Sequence, residues 1–194
     1  MKLYLKGVRC EMAKCAIEKQ WRNKPPGMHF WRRRRPTEYG VRLREKQKLR
    51  WYYGVLERQF RRFFADAARG KGSTGERLLI LMERRLDNVV YRLGFAPSRQ
   101  ASRQMVAHGH VRVNGHTANV SSLKVQVGDE IEIRDRRSSR EMARAWTSED
   151  EGRMVPPWLE ADHEHFRGRV KALPARDEIS FQVNENLIVE FCSR

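Results

Sequence analysis

The apolar residues of this chain keep a helical period from Phe60 to Met105, then change to a period of two at His110. No other feature constrains the fold as much, because faces of period 3.6 and period 2 pack into different elements. Phe60, Phe63, Phe64, Ala67 and Ala68 fall on one helical face, with Arg58, Arg61 and Arg62 turned away. Leu78, Leu79, Met82, Leu86, Val89, Val90 and Leu93 repeat in the same way. After His110, Val111 and Val113 alternate with polar residues up to Asn114-Gly115, the strongest short signal for a hairpin turn. Val125 and Val127 lead through Gly128-Asp129 to Ile131 and Ile133, which read as further short antiparallel strands. The class is α+β: a helical lobe, and a second lobe with a helix pair and a small antiparallel sheet.

Stop and start signals divide the chain further. Residues 1–36 read as irregular, with a turn at Pro25-Pro26-Gly27 and the run Arg32-Arg33-Arg34-Arg35 ending at Pro36. Thr37 is placed to cap a helix running to about Tyr53, where Gly54 stops it. Gly70-Lys71-Gly72 breaks the next helix, and Ser73 with Glu76 forms a capping box. One long helix is expected from there to Gly94. Pro97-Ser98 opens a shorter one through Ala101 and Met105 to His108, with Gly109 as its stop. Ser138 and Glu141 cap another, to about Trp146. Residues 147–157 read as a polar, acidic loop, and 179–183 and 187–191 as two late strands. Those strands need a partner surface, so residues 1–77 and 175–194 are expected to form one lobe and 78–174 the other.

The formal charge of +16 is unevenly placed. Residues 1–75 hold 21 Lys/Arg against 6 Asp/Glu, whereas residues 147–194 hold 6 against 10. Such a concentration opposes compaction by self-repulsion and implies a polyanionic partner. Nucleic acid is favoured over an anionic membrane, which would need a basic segment with an exposed apolar face. No apolar run is long enough for a membrane span, and Lys6 and Arg9 break any signal-peptide pattern. Three cysteines, an odd number, fit a reducing cytosol rather than a disulfide framework.

Catalytic patterns are weak. Gly70-x-Gly72-x-x-Gly75 matches a dinucleotide fingerprint formally, but an amphipathic helix precedes it where a strand is required. No histidine has a nucleophile or paired carboxylates beside it at motif level, so an enzyme is not expected. Cys10 and Cys15 could be half of a zinc site, which needs four ligands. Cys192 reads as a core residue of its apolar segment.

Phosphate contacts are expected from Arg32, Arg33, Arg34 and Arg35, from the stripe Arg42, Lys46 and Arg50, and from Arg58, Arg61 and Arg62. Arg99 and Arg103 share a helix face just after the helix start at Ser98, a natural phosphate site. Removing both is expected to weaken RNA binding and leave the thermal midpoint nearly unchanged. Arg84, Arg85 and Arg92 are further candidates, with Glu83 and Asp87 as competing partners. His108 and His110, at a helix end, suit a backbone or phosphate contact. A helix pair backed by a hairpin reads the shape of folded RNA, whose deep major groove side chains cannot enter.

The order Glu83-Arg84-Arg85-Leu86-Asp87-Asn88-Val89-Val90-Tyr91-Arg92-Leu93-Gly94-Phe95-Ala96, then Ser98-Arg99, His108-Gly109-His110-Val111 and Val113-Asn114-Gly115, closely resembles the RNA-binding module named after small-subunit ribosomal protein four. Lys2-Leu3-Tyr4-Leu5-Lys6-Gly7 looks like that family's N-terminal arm, residues 39–50 like its basic helix, and Val183-Asn184-Glu185 with Val189-Glu190-Phe191 like its C-terminus. The resemblance spans nearly the whole chain and is to the bacterial type. It implies a cytoplasmic protein of the ribosome that binds the five-prime domain of 16S ribosomal RNA early in assembly. It also implies contact with ribosomal protein five and other small-subunit proteins, an influence on decoding accuracy, and a place along the path by which messenger enters. In some members it implies binding to the messenger of their own operon. Zinc-binding members carry a Cys-x-x-Cys pair upstream of Cys10 and Cys15, so zinc is expected only where such a pair completes the site. The same module is appended to pseudouridine synthases, but what remains of this chain is too small for a catalytic domain. A DNA-binding regulator fits poorly, since the hairpin follows the second helix directly.

Overall fold

The computed structural model describes residues 2–19, 24, 27–28, 31, 35–148 and 154–193. The Pro25-Pro26 turn and Arg32, Arg33 and Arg34 lie outside the described residues. Among those described, the helices are α1 (Glu38–Tyr52), α2 (Glu57–Ala68), α3 (Thr74–Glu83), α4 (Leu86–Arg92), α5 (Arg99–Ala107), α6 (Arg137–Ser148) and α7 (Glu185–Cys192). The strands are β1 (Val111–Val113), β2 (His116–Ala118), β3 (Glu130–Ile133), β4 (Leu159–Asp162) and β5 (Arg167–Val170). The α+β class expected from the sequence is observed. Thr37, Ser73 and Ser98 cap α1, α3 and α5, each accepting from the backbone N–H three residues on.

Two apolar cores divide the molecule. The first joins Leu49, Tyr53 and Val55 to Phe60, Phe63 and Ala67 of α2, to Leu78, Leu79 and Met82 of α3, and to Ile179, Phe181, Val183 and Ile188. The second joins Leu86, Val89, Val90 and Leu93 of α4 and Met105 and Val106 of α5 to the sheet through Val111, Ile131, Ile133, Leu159 and Val170. The sheet is antiparallel throughout, in the order β2-β1-β3-β5-β4. The cores part between Met82 and Leu86, so residues 78–82 belong with the first.

The long helix expected from residue 73 to 94 is two helices. Arg85 leaves helical geometry with ψ 137° and forms an isolated bridge with Lys124. Val125 donates to the Arg84 carbonyl at 2.9 Å, and Leu86 donates to the Leu123 carbonyl at 2.8 Å. Backbone groups that a continuous helix would use internally are satisfied here by the segment after the hairpin. Periodicity could not reveal the break, because both helices turn apolar faces inward.

The late strands also need correction. Residues 179–183 bury Ile179, Phe181 and Val183 in alternation, but they belong to none of the described strands. Residues 187–191 lie inside α7, which packs along α1. Leu187, Ile188 and Val189 favour a strand only where a neighbouring ladder receives them; without one, a helix satisfies its own backbone. Val125 and Val127 likewise lie outside the strands. The strands β4 and β5 went unread. Their turn is held by Asp162, whose Oδ1 accepts from the Glu164 and His165 N–H groups at 3.0 and 3.1 Å.

Candidate nucleic-acid interface

Helix α2 sets its phenylalanines into the first core and its arginines into solvent. Arg58 and Arg62 are exposed and have no protein partner among the described residues. Arg61 stays largely exposed while touching Glu57 at 3.3 Å, and Arg69, just past the helix, touches Asp66 at 3.6 Å. Beside this stripe runs an open groove, lined from α2 by Gln59, Arg62, Phe63 and Asp66 and from the other lobe by Ser122 and Lys124. Lys124 Nζ lies 2.7 Å from Asp66 and 5.4 Å from the Phe63 ring centroid. A cationic groove walled by both lobes is suited to following a sugar–phosphate backbone.

The expected stripe on α1 is engaged within the protein. Arg42 donates to Glu190 at 2.6 Å and to Glu38 at 3.1 Å. Lys46 is buried and donates to Glu57 at 2.7 Å, as does Arg50. These hydrogen bonds, led by that of Lys46, outweigh partial burial and bring the Glu57 carboxyl from 4.5 down to about 2. Arg35 is exposed just ahead of α1.

The arginines around α4 and α5 form a clasp between the lobes. Arg85 is 1% exposed and pairs with Asp87 through two bonds of 3.0 and 2.7 Å. Arg103 reaches the same carboxylate at 2.9 Å and donates to the Gly54 carbonyl at 2.7 Å, tying α5 to the end of α1. Glu83, buried, accepts from Tyr53 at 2.6 Å, Asn88 at 2.7 Å and Arg92 at 2.8 Å. Burial raises the Glu83 carboxyl, but Arg92 and its neighbours outweigh this and hold it below the usual range. Burial, then Glu83, pushes the Tyr53 hydroxyl well above its ordinary value, so it serves as a donor.

Arg99 donates through Nε to Asn88 Oδ1 at 2.7 Å, and its guanidinium lies 3.8 and 4.4 Å from the Tyr52 and Tyr91 ring centroids. It is 9% exposed, so the expectation that Arg99 and Arg103 can be removed without thermal cost does not survive. Arg84 donates to the Val125 carbonyl at 2.9 Å. Ser98 serves as the N-cap. The acidic partners stand in the same motif as the arginines, so the pairing was readable as an alternative.

At the other end of α5, His108 is exposed and His110 lies 2.9 Å from Ser139 Oγ. Burial first, then His108, Arg136 and Arg134, lowers the His110 pKa. This marks a second cationic neighbourhood. The outer face of the sheet differs: its register sets Glu130 beside Arg169 and Glu132 and Asp162 beside Arg167, so its charges largely compensate. Sequence reading missed Lys124, Ser122, Gln59 and Arg69. The charge of Lys124 and Arg69 was visible, but only the fold shows that Lys124 faces α2.

Cys10 Sγ accepts from the Lys6 N–H at 3.3 Å, and Cys15 is buried. Among the described residues no three His, Cys, Asp or Glu side chains gather in a way that could hold a metal. Two thiols fall short of the four ligands of structural zinc, so the described residues do not fit that ion. The glycines at 70, 72 and 75 span the link from α2 to α3, and Gly75 abuts Glu185 of α7. Among the described residues no helix is long and apolar enough to cross a membrane.

Fold and surface together define a two-lobed basic protein with an RNA-binding module in its second lobe. A family model described as the S4 domain matches residues 84–131, and one described as the ribosomal protein S4/S9 N-terminal domain matches residues 1–83. The two matches meet where α3 gives way to α4. Small ribosomal subunit protein uS4 of Natranaerobius thermophilus is 55% identical over all of this chain and 92% of its own length. Its namesake from Thermus thermophilus is 51% identical over the same shares. The chain belongs to the uS4 family of small ribosomal subunit proteins.

Proposed function

We propose that this chain binds 16S ribosomal RNA directly, along the arginine face of α2 and the groove between that helix and residues 120–125. The chain is a structural constituent of the small ribosomal subunit, not an enzyme, and its place is the cytoplasmic ribosome. The observation that carries the RNA reading is the contrast in partners. Among the described residues, Arg58 and Arg62 stand exposed and unpaired beside a groove to which both lobes contribute, while the clasp arginines are held by carboxylates. Unpaired arginines on a rigid helix release counterions on meeting phosphates without first breaking a protein contact.

The same reading extends to the five-prime domain as the target and to early binding during assembly of the subunit body. It extends also to contact with ribosomal protein five, to decoding accuracy, and to the operon messenger as a second RNA. The test is a salt titration of binding to a five-prime-domain fragment, with duplex DNA as competitor. Nanomolar to sub-micromolar affinity at physiological salt, resistant to DNA, is expected. Equal preference for DNA would overturn the reading.

A further inference from the structure

Where the N-terminal arm meets the junction of the two lobes, a narrow crevice opens that the arginine face of α2 does not use. Its walls include Tyr4, Trp51, Tyr52, Tyr91, Arg99 and Gln100. Two of its aromatic rings remain open to solvent: Tyr4 is 55% exposed and Trp51 53% exposed. A folded chain gains little by leaving two large rings exposed at the mouth of one crevice.

The placement of Tyr4 is costly. Its φ of 49° lies in the left-handed region, which a tyrosine adopts only when its surroundings fix it there. Gly7, three residues on, also has positive φ, and a Cβ at that position would collide with the Pro97 carbonyl oxygen. The arm is therefore seated against the loop between α4 and α5, and Tyr4 is carried to the rim. Lys2 Nζ lies 5.0 Å from the Tyr4 ring centroid, which adds a cation there. Arg99 also lines the crevice, its guanidinium set against the Tyr52 and Tyr91 rings.

We propose that the mouth of the crevice receives the base of an unpaired nucleotide of the bound RNA, stacked on Trp51 and Tyr4. Proteins that recognise folded RNA hold splayed bases between aromatic and guanidinium planes, and stacking tolerates any base because each has a π face. The inference rests on RNA binding as proposed above and adds a separate contact to it.

The test compares W51A/Y4A with W51F/Y4F in binding a five-prime-domain rRNA fragment across a salt series, with circular dichroism confirming the fold of both. The alanine pair is expected to bind at least roughly tenfold more weakly at every salt concentration, with the salt slope unchanged, because stacking releases no counterions. The phenylalanine pair is expected to retain wild-type affinity. Wild-type affinity in the alanine pair would overturn the proposal. So would a loss accompanied by a slope smaller by about one, which would mark a phosphate contact in place of a stacked base. Failure of the unmodified chain to bind the fragment would overturn RNA binding itself, a result distinct from either.

Discussion

The arginines of α2 and those around α4 and α5 are the same residue type in two opposite settings. Arg58 and Arg62 project from a helix whose other face is buried, and neither pairs with a carboxylate among the described residues. Arg85, Arg92, Arg99 and Arg103 converge on Glu83, Asp87 and Asn88. The first set leaves charge available to a polyanion; the second uses charge to fix one lobe against the other. A count of basic residues merges these roles, although their consequences for folding and binding run in opposite directions. Charge predicts an RNA contact only after internal partners have been assigned.

The comparison can be broken most forcefully at Asp87. Asp87→Ala would leave Arg85 buried without its carboxylate, with an expected loss of about 3–5 kcal/mol in urea unfolding. A loss below about 1 kcal/mol would show that the clasp is not structural. Arg99→Ala should cost about 2–3 kcal/mol, from its charged hydrogen bond to Asn88 and its contacts with Tyr52 and Tyr91. An unchanged thermal midpoint would return Arg99 to the surface class.

Acid sharpens the comparison at the base of α2. The folded Glu57 carboxyl is depressed from 4.5 to about 2, so its contribution is complete above pH 4.5 and disappears as pH falls through 2. Glu57→Gln should therefore flatten the decline in stability over that window. A decline identical to that of the unmodified chain would remove Glu57 from the account. The smallest stability effects belong to Arg58→Ala and Arg62→Ala, each expected within about 0.5 kcal/mol of wild type. Each should nevertheless lower the magnitude of the salt slope for RNA binding by about one. A stability loss comparable to that of Arg99→Ala would erase the distinction between the two sets.

Much of the fold was legible because local signals agreed with tertiary placement. Thr37, Ser73 and Ser98 cap the helices they were expected to cap, and Asn114-Gly115 turns the first hairpin. The errors fall where a remote segment decides the outcome. Arg84 and Arg85 break a periodic helix because residues 123–125 pair with their backbone. Leu187 to Phe191 follow a helix because α1 receives them. The interface divided in the same way. The arginine face of α2 follows from its own periodicity, whereas the clasp and Lys124 depend on which residues meet across the lobes.

The packing of α7 on α1 has a consequence for the order in which the chain can mature. Ile179, Phe181, Val183 and Ile188 are needed to close a core whose other members all come before residue 83. Domains generally fold from the N-terminus as synthesis proceeds, yet here the half made first can be finished only when residues 179–188 have been released. The module in between has every part of its core in hand earlier. The half that carries most of the positive charge is thus left incomplete until the module has already been made.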